Sequence, residues 1–387
     1  MGWITTKKVT ESSELQKIFR QAQQTKTPVY LYQDNNITDG IILDLSNWNQ
    51  VEQFDADNLM ILVPPGLLLK DLNAIANGKG LRFIPADTPV FENLSVGEWA
   101  YRGCPNLSAW KYGAGKHFLL GSTYVFPNGD LTTVGGKCIK NVTGYDFTRF
   151  LTGPYADLAV GVQYIIKLMP EPANKVTFQV EFDSLDDASR LVHTLQGRPV
   201  PPAWLFWLDK TVGAKLGYKM GGEHRLIFEL DGNETEVSQY AEDIQAILPD
   251  YKAAVVREPA VLPDMAFVEK RTKEFWLLDE FKVSYTEAPG FVAQVKHILE
   301  KNRYRGGLFG QLADGKIHLF IDQDRDQVED IVTAMQNAVQ KHGGVISGKY
   351  RRLYQGGVNG KLKDLEMMFK QRMDPAGIFN QTKEAAQ

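Results

Sequence analysis

The residues best suited to chemistry gather in one stretch, Lys140-Asn141-Val142-Thr143-Gly144-Tyr145-Asp146, followed by Phe147, Thr148 and Arg149. Lys140 has the charge to neutralise a phosphate. Tyr145 offers a ring and a donor and Asp146 an acceptor, a pair able to orient a bound group. The structural reading of the same residues is simpler. Asp146 caps a helix whose Phe147, Phe150 and Leu151 pack inward, and Lys140 is a solvated surface charge. Further on, Arg303 and Arg305 flank Tyr304 ahead of Gly306-Gly307. That arrangement is able to grip a carboxylate through bidentate contacts, or is an ordinary solvated or partner-facing loop. The six histidines are scattered, and none pairs with a Ser or Cys in a nucleophile motif.

Bulk properties narrow the function classes. A length of 387 residues favours two domains or one elaborated domain. With 43% hydrophobic and 23% charged residues the chain is ordinary globular material that needs no disulfide staples. A net charge of −4 gives no bulk attraction to nucleic acid or an anionic membrane. The two cysteines, Cys104 and Cys138, match no metal spacing, cannot build an iron–sulfur site, and fit a reducing cytoplasm. No signal peptide is read in the polar first 20 residues, and no apolar run is long enough to span a bilayer.

Around the motif the pattern predicts an α+β chain. Residues 10–24 read as a helix capped by Ser12 or Ser13, with Leu15, Ile18 and Phe19 on one face. Val29 to Tyr32 and Ile41 to Leu45 are short strands separated by Asp34-Asn35-Asn36, a turn signal. Leu59 to Val63 is a strand, and Leu67 to Ala76 a helix with Leu68, Leu72, Ile75 and Ala76 as its apolar stripe. Gly121 to Phe126 and Leu131 to Val134 form a hairpin around Pro127-Asn128-Gly129-Asp130. Leu158 to Leu168 is a buried strand. Strands and helices then alternate: Val176 to Phe182, Leu185 to Leu195, Trp204 to Leu208, Leu226 to Leu230, Glu234 to Ile247, Phe291 to Asn302, Ile317 to Ile321 and Asp326 to His342. A final helix over 361–373 runs into Asp374-Pro375-Ala376-Gly377-Ile378-Phe379-Asn380.

Four blocks, in order, resemble one flavoprotein superfamily, the vanillyl-alcohol oxidase or PCMH type. They are Val63-Pro64-Pro65-Gly66 through Gly80-Leu81, Pro85 through Gly97, the Lys140 to Arg149 block, and the closing Asp374 to Asn380 tail. Within it the chain is most similar to the smaller FAD-binding subunit of bacterial glycolate oxidase. The resemblance implies an α+β fold: a two-subdomain PCMH-type FAD-binding domain over 1–172, an α+β cap domain over 173–350, and a C-terminal return over 351–387. It implies FAD, with Pro85, Ser95, Val96, Gly97, Lys140, Asn141, Gly144, Tyr145, Asp146 and Gly153 as its contacts, and no metal. It also implies hydride transfer from a small 2-hydroxy acid to FAD, and a complex with a second flavin subunit and an iron–sulfur subunit that takes the electrons.

A pyrophosphate needs backbone N–H groups aimed at it, and glycine permits the close approach. The chain departs from the family pattern at such places. The first glycine-rich loop is absent, with Tyr30 to Asn36 in its place. Glu98-Trp99 follows Ser95-Val96-Gly97 where a glycine and a small polar residue are usual. Gly153-Pro154-Tyr155-Ala156-Asp157-Leu158-Ala159 replaces the third loop, and Val162-Gln163 stands at the usual Thr-Glu. Gln311 to His318 aligns with a block that in related 2-hydroxy-acid dehydrogenases places histidines near the substrate. Here Gln311 replaces the first histidine, and Asp314-Gly315 also reads as a hairpin turn. Trp99, Tyr101, Trp110 and Tyr112 form an expected aromatic cluster that stacks on a flavin, fills its space or docks a partner. Two functions remain open: a FAD-binding catalytic subunit, or a flavin-less subunit that scaffolds a catalytic paralogue.

Overall fold

The computed structural model describes residues 3–31, 37, 39–88, 90–138, 145–257, 262, 276–321, 329–347 and 360–381. The chain divides into two compact units, the first of residues 1–106, 114–171 and 358–387, the second of 107–113 and 172–357. Among the described residues no helix is long and apolar enough to cross a membrane.

The first unit opens with β1 (Ile4–Lys8) and α1 (Ser12–Thr25), then β2 (Val29–Leu31) and β3 (Gly40–Asp44). Helix α1 buries Leu15, Ile18 and Phe19 as its periodicity predicts. Its N-cap is Glu11, with no side-chain cap bond, and Ser13 bonds Glu11 instead of capping. Strands β1, β3 and β2 pair in parallel, so the link from β2 to β3 is no hairpin, and Asp34, Asn35 and Asn36 lie outside the described residues. Next come β4 (Gln53–Asp55), β5 (Met60–Val63), α2 (Leu69–Asn77), β6 (Leu81–Arg82) and α3 (Val96–Tyr101). In α2 the buried stripe is Leu69, Leu72 and Ala76, so Leu72 and Ala76 fall as predicted, while Ile75 is exposed and Leu68 is half-buried ahead of the helix.

After the one-turn helix α4 (Ala109–Tyr112), β7 (Leu119–Val125) and β8 (Leu131–Gly135) form the predicted hairpin, with Gly129 at φ 86° in its turn. Helix α5 (Phe147–Phe150), β9 (Val160–Lys167) and β10 (Met169–Pro170) complete this part. A five-stranded sheet runs β4-β5-β9-β7-β8. The C-terminal tail belongs here too. Asp374 is buried and accepts from the amides of Ile378 and Phe379, each at 2.9 Å. That knot presents Ile378 and Phe379, both fully buried, to the core around Phe19. Asn380 then bonds along β2, its amide to the Val29 carbonyl and its side chain to the Leu31 amide.

Among its described residues the second unit has an eight-stranded sheet in the order β14-β11-β13-β12-β16-β17-β15-β18. Its elements are β11 (Asn174–Phe182), α6 (Leu185–Gln196), β12 (Trp204–Asp209), α7 (Lys210–Leu216), β13 (His224–Gly232) and α8 (Glu234–Ile247). They continue with β14 (Ala254–Val255), β15 (Trp276–Lys282), α9 (Ala288–Lys301), β16 (Gly306–Gln311), β17 (Lys316–Ile321), α10 (Glu329–Lys341) and β18 (Val345–Ser347). One face packs Phe178, Leu205, Leu226, Phe228, Leu308 and Leu319 against α6, α8, α9 and α10. Burial of this size is the main driving force for the unit.

Candidate functional site

The described members of the expected cofactor set all lie in the first unit. Ser95 caps α3, its hydroxyl accepting from the Glu98 amide at 3.1 Å. The amides of Val96 and Gly97 donate to the carbonyls of Leu67 and Pro65, both at 2.8 Å. Glu98 is paired with Arg102 one turn on, at 2.7 Å, so its charge is neutralised on the helix surface rather than turned against a ligand. Trp99 is fully buried edge-on to Phe83, and its indole N–H donates to the Pro105 carbonyl. Pro85 sits buried in a short 3-10 turn, Ile84–Ala86.

Gly153 is held at φ 73°, and a Cβ there would stand 3.0 Å from the Cα of Gly103. Gly103 is at φ 87°, so both positions hold the left-handed backbone that favours glycine, which is a structural reason for their presence. Asp146 caps α5 by accepting from the Arg149 amide at 3.0 Å and also pairs with the Arg149 side chain. Tyr145 is 89% exposed and edge-on to Phe147. Of the three apolar residues expected to pack inward, Leu151 is buried, Phe150 is half-buried and Phe147 is 40% exposed. Lys140, Asn141 and Gly144 lie outside the described residues. At the usual Thr-Glu position, Val162 is core, and Gln163 bonds Thr123 and Glu52. Cys104 is buried, and that burial pushes its thiol up to about 12, away from the thiolate.

These contacts test the fit of a dinucleotide. Of the expected contacts, the amides of Val96 and Gly97 are bonded within the protein, and Gly153 faces Gly103.

The four aromatic residues of the expected cluster divide between the two units. Trp99 and Tyr101 are in the first unit, where Tyr101 bonds Asp157. Trp110 and Tyr112 belong to the second, where Tyr112 donates to the Asp231 carboxylate at 2.8 Å. Helix α4 stands on a segment that follows the second unit's contacts, which no local pattern reveals.

In the second unit, Gln311 donates its amide to the Leu107 carbonyl at 3.2 Å. Asp314-Gly315 is the turn between β16 and β17, where Gly315 has φ 69° and a Cβ would meet the Val283 carbonyl at 1.8 Å. His318 stacks on Phe309. Among the described residues no three His, Cys, Asp or Glu side chains converge as a metal site. Arg303 and Arg305 are exposed, and Tyr304 between them packs on the core.

Sequence reasoning missed the buried charges of this unit. Arg225 grips Glu181 at 2.5 and 2.9 Å, and Glu181 also accepts from the amides of Gly221 and Gly222. Asp209 caps α7 and accepts from the Leu308 amide, while burial raises its carboxyl above the usual range. His224 is buried on Trp207, and burial, then Lys296, lowers its imidazole to about 4. The available signal was a charged residue inside an apolar strand, as in His224-Arg225-Leu226-Ile227-Phe228.

Comparison with known proteins places this geometry. Residues 6–135 match the family described as FAD binding domain, and residues 171–383 the family described as FAD linked oxidases, C-terminal domain. The chain is 28% identical to glycolate oxidase subunit GlcD of Bacillus subtilis, covering 80% of this chain and 71% of that protein. It is 25% identical to a D-lactate dehydrogenase of Archaeoglobus fulgidus, covering 96% and 89%. Among solved structures, p-cresol methylhydroxylase with substrate bound shares the fold at TM-score 0.71 and 17% identity, covering 97% of this chain and 87% of that one. Alkyldihydroxyacetonephosphate synthase does so at TM-score 0.70 and 15% identity, covering 98% and 76%. The fold is the expected α+β PCMH type. With a FAD-binding domain ahead of a matched oxidase domain that spans more than half of its length, the chain belongs to the FAD-linked oxidases, an oxidoreductase family related to glycolate oxidase and D-lactate dehydrogenases.

Proposed function

We propose that this chain is the FAD-binding subunit of a cytoplasmic oxidoreductase complex acting on a small 2-hydroxy acid of the glycolate or lactate type. The observation that carries the reading is the pair of family matches in order along one chain, joined to the likeness to a glycolate oxidase subunit. When bound, FAD supplies the redox chemistry, and the protein supplies binding and orientation. The chain has two cysteines, too few for an iron–sulfur cluster. With FAD bound, a separate iron–sulfur partner would take the electrons, and a second flavin subunit would complete the assembly.

A second reading is favoured by a specific observation: the amides of Val96 and Gly97 are engaged by Leu67 and Pro65. On that reading the chain is a flavin-less subunit that scaffolds a catalytic paralogue. Purification in FAD-rich medium decides. The first reading expects a yellow protein with a flavin band near ~450 nm at about one flavin per chain. A colourless, folded protein sinks it and leaves the scaffold.

A further inference from the structure

The closing tail of the first unit extends the β1-β3-β2 sheet. The Val29 amide donates to the Ile378 carbonyl at 2.8 Å, and the Asn380 amide donates to the Val29 carbonyl at 2.9 Å. Val29 and Phe379 pair as parallel neighbours. This seating sets Asn380 beside β2 with its backbone at φ 46°, the left-handed region that asparagine enters more readily than most residues.

The Asn380 side chain is used at both of its polar atoms. Its Oδ1 accepts from the Leu31 amide at 2.9 Å, and because that partner is a donor, Nδ2 is the atom left to face the other way. Nδ2 donates to Asp157 Oδ1 at 3.3 Å. The same Asp157 oxygen accepts from the Tyr101 hydroxyl at 3.3 Å. Lys370 adds a second link, its Nζ donating to the Asp157 backbone carbonyl at 2.6 Å and to the Phe379 carbonyl at 2.8 Å. All of these residues belong to the first unit.

Three stretches therefore meet around one side-chain amide. Leu31 lies in the Tyr30 to Asn36 stretch that stands in place of the first glycine-rich loop. Tyr101 ends α3, the helix that starts at Val96-Gly97. Asp157 lies in the Gly153 to Ala159 stretch that replaces the third loop. These are the three places where the chain departs from the glycine pattern of its family.

We infer that Asn380 and Asp157 form a tie that fixes these three stretches against one another, which makes Asn380 a positioning residue for FAD. The tie acts through the loops and not by touching the cofactor. The inference rests on the reading that this chain binds FAD, and adds to it what holds the binding stretches in place. The physical reason is pre-organisation: segments ordered before the ligand arrives spare the binding step their ordering cost.

The test uses the full chain, with FAD titrated into the apoprotein and followed by flavin fluorescence, beside urea unfolding of the same samples. Asn380→Asp keeps the acceptor for Leu31 but loses the donor and sets a second carboxylate against Asp157. Its Kd for FAD should rise roughly tenfold or more under conditions where the apoprotein is fully folded. Adding Asp157→Asn exchanges donor and acceptor across the tie and should bring Kd back to within about threefold of wild type. An unchanged Kd in folded Asn380→Asp overturns the tie even where unfolding becomes easier, since the role is then stability alone. A loss that the exchange does not repair overturns it as well. A wild-type chain that takes up no FAD is a different result, which removes the FAD reading and this inference with it. Should Asn380→Asp fail to fold, Asn380→Gly decides, because glycine adopts the same φ freely and only the side-chain bonds are lost. A raised Kd is expected there too, and a Kd equal to wild type overturns the proposal.

Discussion

Two aspartates sit in motifs that carry the family resemblance, and the fold treats them oppositely. Asp146, in the Lys140 to Arg149 block, is 54% exposed and caps a four-residue helix. Asp374, in the tail, is 3% exposed and holds the amides of Ile378 and Phe379, with Lys370 3.3 Å away. A residue in solvent loses little when its partner goes, because water replaces it. A buried acceptor leaves orphaned donors behind. Motif membership therefore says nothing about how a residue is used; burial and partner set do.

The contrast between buried and exposed acids can be pushed to breaking. The largest effect belongs to Glu181→Ala, which strands the Arg225 guanidinium in the sheet. We expect a loss of about 3–5 kcal/mol, read from urea unfolding of the second unit. Asp374→Ala removes a buried acceptor from two amides, and roughly 2–4 kcal/mol should disappear from the first unit's unfolding. If it costs no more than Asp146→Ala, the comparison fails.

The third prediction concerns pH. His224 is held near 4 in the folded state against an ordinary value of 6.5. Between those values the unfolded chain binds the proton more readily, so stability falls as pH drops from 6.5 to 4 and is level above. The full penalty is up to about 3 kcal/mol, and His224→Phe should flatten that part of the pH profile. A profile equally steep in the variant would show that other groups cause it. Smallest is Asp146→Ala, a cap on an exposed helical turn, for which thermal unfolding should register at most about 1 kcal/mol.

Much of the fold was readable because it rests on local periodicity. Helix α8 has the bounds its amphipathic pattern predicts, and the β7–β8 hairpin follows from Asn128-Gly129. The tail was recognisable from Asp374 to Asn380. The stripe of α2 was read right at Leu72 and Ala76, but Leu69 is buried in place of Leu68, and Ile75 faces solvent. The candidate site was less readable still. The amides of Val96 and Gly97 carry no sequence signature of their partners, since Leu67 and Pro65 are bonded through backbone carbonyls that any residue supplies. Nothing in Trp99, Tyr101, Trp110 and Tyr112 announces that the last two join a different unit.

Residue order thus carried the α+β class, most of the elements and the family, since these depend on short-range patterns and on motif residues retained in sequence. Three-dimensional packing assigned the roles: which aspartate is a knot and which a cap, why Gly153 favours glycine, and that Gln311 bonds the Leu107 carbonyl. Those outcomes turn on burial and on partners such as Lys111 and Asp231, which lie 120 positions apart. Desolvation and non-local contact have no one-dimensional trace.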